Sequence, residues 1–213
     1  MTDTQTQKFI ENWKANHAQF GQKNWDQEPD FCHYIHTPIP LDIATKLCQA
    51  ASVMRQQLSL KDGSWLKPED LHLTITLPGR LGSHFQKNDL SFMKKTLQAI
   101  TAETPAFEVQ IKNFNVFPHS LFAEVHDHTG RLQQLHETLC NEIPFSQHPE
   151  FRYQHYLPHI SLAYGVQSPQ VLPADTDREF EALTFNLNTI NLGKAKWQGN
   201  TLKKTLAAEF TLK

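Results

Sequence analysis

Residues 71–79 read LHLTITLPG, and residues 157–165 read LPHISLAYG. Each stretch carries His, an apolar residue, a hydroxyl residue and a second apolar residue: His72-Leu73-Thr74-Ile75 in one and His159-Ile160-Ser161-Leu162 in the other. Such alternation predicts a β-strand, and the glycine that follows predicts its end. Side chains on a strand point alternately to its two faces. Each His therefore shares a face with the hydroxyl two residues on, while the apolar neighbours enter a core. With 12 histidines in the chain, one such match arises by chance at roughly 0.2 per sequence, so a pair is rarely accidental.

The same succession of elements leads up to each motif. FCHYIH (31–36) predicts a strand, and Ile43, Leu47, Ala50, Ala51, Met54 and Leu58 mark one face of a helix. A turn-rich connection, DGSWLKP (62–68), then reaches His72. LFAEV (121–125) predicts the corresponding strand, and Leu132, Leu135, Leu139 and Ile143 the corresponding helix face. The loop-like PFSQHPEFRYQHY (144–156) then reaches His159. From Phe31 to His72 is 41 residues, and from Leu121 to His159 is 38. Between the two units lie a helix over about 89–102, with Leu90, Met93, Leu97 and Ile100 inward, and a strand at 107–111 (FEVQI). Two further strands follow, over 183–192 (LTFNLNTINL) and 205–212 (TLAAEFTL). Half-apolar alternating strands favour antiparallel sheets with helices on one face. The fold expected is α+β, bilobal and pseudo-symmetric: two mainly antiparallel sheets with helices outside and a central cleft. Residues 1–30 are read as an N-terminal extension, helical because Phe9, Ile10, Trp13, His17 and Phe20 recur at helical spacing. Residues 31–213 are read as a single bilobal domain.

Composition bounds the function. Charged residues make up 20% and the formal net charge is −2, so no global positive field attracts long nucleic acid. A local grip on one phosphate is compatible with that balance. Three cysteines without a CxxC pair suggest free thiols in a reducing compartment. The first residues, MTDTQTQKF, lack a signal-peptide pattern, and no apolar run reaches membrane-spanning length. A cytoplasmic location is expected, without a membrane partner, and no obligate protein partner is evident.

Two strands of this kind facing each other supply two imidazoles and two hydroxyls. Opening a phosphodiester needs a base for the attacking oxygen and an acid for the leaving one. Histidine, with an ordinary pKa near ~6.5, serves either role at neutral pH. Thr74 and Ser161 are suited to donate hydrogen bonds to the non-bridging phosphate oxygens. This constellation calls for no metal and no cofactor.

The paired motifs resemble those of the 2H phosphoesterase superfamily, whose hallmark is two His-x-Thr/Ser-x motifs on a bilobal fold. WLKPEDLHLTITLPG is similar to the family's first motif region and YLPHISLAYG to its second. The branch most similar in pattern is that of bacterial 2′-5′ RNA ligase-like cyclic phosphodiesterases. The resemblance implies that His72 and His159 are catalytic and that Thr74 and Ser161 bind phosphate. It implies an enzyme acting on 2′,3′-cyclic phosphates, with an RNA 3′ end, a short oligonucleotide or a cyclic nucleotide as substrate. Trimming of RNA 3′ ends, cleavage of 2′-5′ linkages, or a catalytically silent RNA-end binding module remain open on the same constellation. Many members of that branch carry an arginine five residues after the second His, where this chain has Tyr164. A phenol lacks the bidentate cationic grip of a guanidinium.

Arg80, Arg152, Tyr156 and Tyr164 are further candidates for lining a substrate cleft. His33 and His36, and His126 and His128, lack a matching carboxylate or thiol arrangement, and no metal is expected. Lys194, Lys196, Lys203 and Lys204 read as a solvated basic surface.

Overall fold

One backbone pairing, Leu73 opposite Ile160, joins the two motif strands side by side. The computed structural model describes residues 4–22, 32–78, 87–143, 156–198 and 201–213. Along the chain these form α1 (Thr4–Asn16), β1 (Cys32–Pro38), α2 (Leu41–Gln57), the short β2 (Ser64–Trp65), a single 3-10 turn (Pro68–Asp70) and β3 (His72–Thr76). There follow α3 (Lys87–Glu103), β4 (Phe107–Phe117), β5 (Ser120–His126), α4 (Arg131–Glu142) and β6 (His159–Tyr164). β7 (Leu183–Leu187), β8 (Thr189–Gln198) and β9 (Thr201–Thr211) complete the chain.

The strands are antiparallel and run β7-β4-β5-β6-β3-β1-β8-β9 in one curled sheet, with β2 attached to β6. The order divides into two four-stranded halves that meet at β6 and β3. In each half the His-bearing strand lies innermost, and its neighbour (β5 or β1) leads through a helix back into it. The α+β, pseudo-symmetric architecture read from the sequence is therefore present. Its two sheets are continuous through the β3–β6 pair, so the motif strands flank one another within the sheet.

Alternation explains the layers. Leu73, Ile75, Ile160 and Leu162 turn away from the site into the main core. That core is completed by Leu47, Ala51 and Met54 of α2 and by Leu132, Leu135 and Leu139 of α4. His72, Thr74, His159 and Ser161 occupy the other face and are half-buried.

Some strand boundaries differ from those predicted. The stretch 183–192 is two strands, broken at Asn188: β7 is an edge of one half, while β8 lies between β1 and β9 in the other. The alternation of LTFNLNTINL changes phase at this point, from Leu183, Phe185 and Leu187 to Ile190 and Leu192, with two polar residues in succession at the break. β4 continues to Phe117 past a bulge near Asn113, whose backbone is left-handed (φ 57°). Asn tolerates that conformation better than most residues.

The helix predicted near the N-terminus lies against β4 and β5, on the face that carries His159. Asn115 sits opposite Phe122, and Phe122 opposite Ser161, so all three belong to that face. Asn115 Nδ2 donates to the Phe9 carbonyl at 3.0 Å, and Asn12 Nδ2 donates to Asn115 Oδ1 at 2.9 Å. Gln5 Nε2 donates to the Val125 carbonyl at 2.9 Å. The Phe9 ring packs on His126 with centroids 4.9 Å apart. Beneath α1 the buried Glu124 carboxylate accepts from Asn115 Nδ2 (2.8 Å), Arg178 NH1 (3.0 Å) and His126 Nε2 (3.0 Å). A charge buried there is tolerable only because it is so fully partnered. α1 thus walls the site on its β4–β5 side. No described helix is long and apolar enough to cross a membrane.

Phe9 is 1% exposed. Phe9→Ala is expected to lower the unfolding free energy by about 3–5 kcal/mol, read from urea midpoints at unchanged m-value. A change within about 0.5 kcal/mol, the range of ordinary surface substitutions, would show that α1 is not integral to the fold.

Candidate active site

The Leu73–Ile160 register decides the geometry. One residue either way places His72 opposite Ser161 and Thr74 opposite His159, all on one face. The imidazoles are diagonal neighbours, about 7–8 Å apart at the backbone in a regular antiparallel ladder. That spacing leaves room for a phosphate between the rings, with a hydroxyl beside each.

Both imidazoles are held in the same way. His72 Nδ1 lies 2.9 Å from the Asp70 carbonyl, and His159 Nδ1 lies 2.7 Å from the Leu157 carbonyl. A carbonyl only accepts, so Nδ1 carries the proton in each ring. In the neutral imidazole Nε2 then offers its lone pair. This two-residue back-bond has the same form in both halves.

β3 is braced from the core side where its ladder with β6 stops. His136 Nδ1–H donates to the Ile75 carbonyl at 2.7 Å, and the Tyr156 hydroxyl donates to the Thr74 carbonyl at 3.3 Å. These side chains take backbone acceptors that a longer ladder would have used. The Tyr156 ring is 2% exposed and stacks on His136 with centroids 3.9 Å apart. Burial pushes its phenol well up from the ordinary value. Tyr156, expected to line the cleft, is thus a packing residue that positions Thr74. Tyr164 ends β6 opposite Ser120 and Ser64, five residues beyond His159 and half-buried. Arg80 and Arg152 lie outside the described residues.

The surroundings of the two histidines differ sharply. His159 stands between Phe117 and Phe122, with ring centroids at 5.2 and 5.0 Å. Burial lowers its pKa, partly offset by the bond to the Leu157 carbonyl. His72 meets Tyr34 and His36 of β1, at 5.2 and 5.1 Å, and those two rings stack on each other at 4.4 Å. Lys204 completes this side: its Nζ donates to the Asp70 carbonyl at 2.6 Å and lies 3.3 Å from His72 Nδ1. Burial, then the Lys204 ammonium, then His36 hold His72 well below the usual histidine range. Burial likewise brings Lys204 down to about 8, against the pull of the Asp70 carboxylate.

Lys204 corrects the reading of the C-terminal lysines as a solvated surface. Lys194 and Lys203 are exposed, but Lys204 is half-buried against the site. Neighbouring residues on a strand point to opposite faces; the Lys203-Lys204 pair therefore signals that one lysine turns inward. His36, weighed as a metal ligand, instead forms part of the stack beside His72. No cluster of three or more His, Cys, Asp or Glu with metal-binding geometry occurs among the described residues.

A model of the 2′-5′ RNA ligase superfamily matches residues 45–196, a span that contains both motifs. The chain belongs to this superfamily. This 2H phosphoesterase family assignment agrees with solved structures of similar fold. TT0787 of Thermus thermophilus aligns with a TM-score of 0.66 at 17% identity, over 85% of this chain and 97% of that one. E. coli LigT complexed with 3′-AMP aligns with a TM-score of 0.65 at 14% identity, over 87% and 99%. A structure described as a phosphoesterase aligns with a TM-score of 0.64 at 14% identity, over the same shares. No curated protein sequence matches.

For this 2H phosphoesterase family member the buried histidines set a pH dependence. His36 is lowered from 6.5 to about 3, chiefly by burial and then by Lys204. The unfolded chain therefore binds more protons than the folded one between those values, and stability falls as pH drops through that window. His72 and His159 act in the same direction. His36→Phe is expected to make the decline in urea midpoint between pH 6.5 and about 3 shallower than in wild type. An unchanged slope would place the acid sensitivity elsewhere.

Proposed function

We propose that this protein is a phosphodiesterase that opens 2′,3′-cyclic phosphates, at RNA ends or on nucleotides, using His72 and His159 as its acid–base pair. The observation that carries the reading is the shared-face array of two imidazoles and two hydroxyls, with both rings fixed by Nδ1 and both Nε2 atoms left for chemistry. One imidazole takes a proton from the attacking water. The other gives a proton to the leaving sugar oxygen. Thr74 and Ser161 hold the non-bridging oxygens as charge builds on them. The similarity in fold to LigT, solved with 3′-AMP and with ATP, supports a nucleotide-sized ligand. Neither step draws on a metal ion or an organic cofactor.

The wall formed by α1 favours a small or terminal substrate over an internal diester of a long strand. An oligonucleotide-trimming reaction on the same site would be recognised by its need for more than one nucleotide.

The test is hydrolysis of the four nucleoside 2′,3′-cyclic monophosphates in excess EDTA, with 2′- and 3′-phosphate products resolved. Turnover is expected in wild type. His72→Ala and His159→Ala are each expected to lose roughly a hundredfold or more of kcat, the usual scale of acid–base catalysis. Wild-type rates in either folded variant would overturn the assignment. Turnover of oligonucleotide ends alone would move it to the trimming reaction.

A further inference from the structure

We propose that Ser64, Tyr164, Ser120 and Phe117 form the subsite that holds the nucleoside of the substrate, its base stacked on Tyr164 and Phe117. The inference rests on the reaction proposed above and fixes the direction in which the substrate extends from the phosphate site.

Simple alternation from His159 and Ser161 would put Ala163 on the site face and turn Tyr164 into the core. The register with β5 does the opposite. Phe122 lies opposite Ser161, but Leu121 lies opposite Ala163 and Ser120 opposite Tyr164, so β6 holds one residue more than β5 between these pairs. Such a bulge reverses the phase of the strand. Leu162 and Ala163 are accordingly buried in succession, and Tyr164 emerges half-buried on the face of His159 and Ser161. The flanking strands agree with this. Ser64 of β2 pairs with Tyr164, and Phe117 of β4 pairs with Ser120. Ser64, Tyr164, Ser120 and Phe117 thus stand side by side on four adjacent strands, spanning about 14 Å at the usual strand spacing. All four are half-buried.

This row is open where other parts of the face are closed. Toward β8, Tyr34, His36 and Asn191 are buried, and Lys204 reaches Asp70 and His72. Farther along β4 and β5, Asn115, Glu124 and His126 are buried beneath α1. Among the described residues, the half-buried surface beside Ser161 continues into Tyr164 and its row. With the bulge discounted, Tyr164 stands roughly 7 Å along the strand from Ser161. A base lies at a similar remove from a 2′,3′-cyclic phosphate carried on the same ribose.

The chemistry of the row suits that occupant. None of the four side chains is charged. A phenol and two hydroxyls each donate and accept, which matches the mixed polar edges of a base and its ribose, and an aromatic face stacks on any base. Phe117 also meets the His159 ring at 5.2 Å, so a base resting on it lies beside the reacting phosphate. The row is held in shape without substrate. Gly165 N–H donates to the His119 carbonyl at 2.7 Å and ties the β4–β5 turn to the end of β6. Gly63, at φ 82°, lets β2 lie against the same end, since a Cβ there would stand 2.9 Å from the Tyr164 carbonyl oxygen. Fixed placement of this kind lowers the ordering cost of binding.

Two experiments test this. The first compares adenosine 2′,3′-cyclic phosphate with methyl riboside 2′,3′-cyclic phosphate, which keeps the reacting group and lacks the base. In wild type the adenosine substrate is expected to have the lower KM, by roughly tenfold or more, the scale of one stacked base. Tyr164→Leu and Phe117→Leu should each lose roughly fivefold or more of that preference in kcat/KM, and Tyr164→Phe, which keeps the ring, should recover most of it. Equal losses on the two substrates would make these residues supports of Ser161 and His159 and overturn the subsite. A wild-type enzyme that handles both substrates alike would overturn it too. The second experiment uses the wild-type protein and needs no turnover. Adenosine 3′-monophosphate and inorganic phosphate are titrated separately while the ring resonances of Tyr164 and Phe117 are followed by NMR. The nucleotide is expected to shift both rings well beyond the shift caused by phosphate. Equal shifts with the two ligands, or shifts confined to His72 and His159, count against the subsite. Absence of turnover on any cyclic phosphate would sink the proposed reaction, and the titration would still decide whether the row takes a nucleoside.

Discussion

The pairing of Leu73 with Ile160 is the constraint on which the rest of the site depends. Strand side chains have a period of two, so a slip of one residue would send both histidines into the core and bring Leu73 and Ile160 to the site face. The register is held from several directions. Leu73 and Ile160 are fully buried between α2 and α4, and exposing them would forgo several kcal/mol of burial, at about 1.5–3 kcal/mol per side chain. His136 and Tyr156 fasten the carbonyls of Ile75 and Thr74 from behind. The core therefore specifies a geometry on the face that carries the chemistry.

From this frame the two halves diverge. One places phenylalanines beside its histidine, and α1 closes over the polar residues farther along the same face. The other places Tyr34, His36 and Lys204 there. Lys204 belongs to β9, three strands from β3 in the sheet order. At about 4.8 Å per strand, a flat sheet would separate them by roughly 14 Å, beyond the reach of a lysine side chain. The curl of the sheet closes that gap. Gly193 contributes on β8: a Cβ there would come within 2.5 Å of the Tyr34 ring, so its absence lets that ring lie against the strand. A duplicated unit supplies symmetry, and residues scattered through the rest of the chain remove it.

Much of this was legible in the chain. Strict alternation around His72 and His159 predicts which face each side chain takes, because adjacent strand residues must point oppositely. The recurrence of strand, helix, loop and His-bearing strand at nearly equal pitch predicts a pseudo-symmetric fold. The break at Asn188 also left a trace, because the apolar positions change phase there, from Leu183, Phe185 and Leu187 to Ile190 and Leu192. Other features left none. Phe117 and Phe122 look like core residues, and of the pair Phe114 and Phe117 only the first joins the main core, because the bulge near Asn113 shifts the alternation. Tyr156 looked like a cleft residue because it follows a polar loop, yet its ring found His136 on α4.

The sequence by itself therefore determined the motif strands, the helices behind them and the identity of the two histidines with their hydroxyl partners. Those follow from interactions within a few residues, where chain geometry allows little choice. Tertiary structure alone decided that the two motif strands lie side by side, that α1 covers one end of the site, and that Lys204 rather than Lys203 meets His72. These depend on contacts between residues more than eighty positions apart, which the curl of the sheet and the packing of the core bring together.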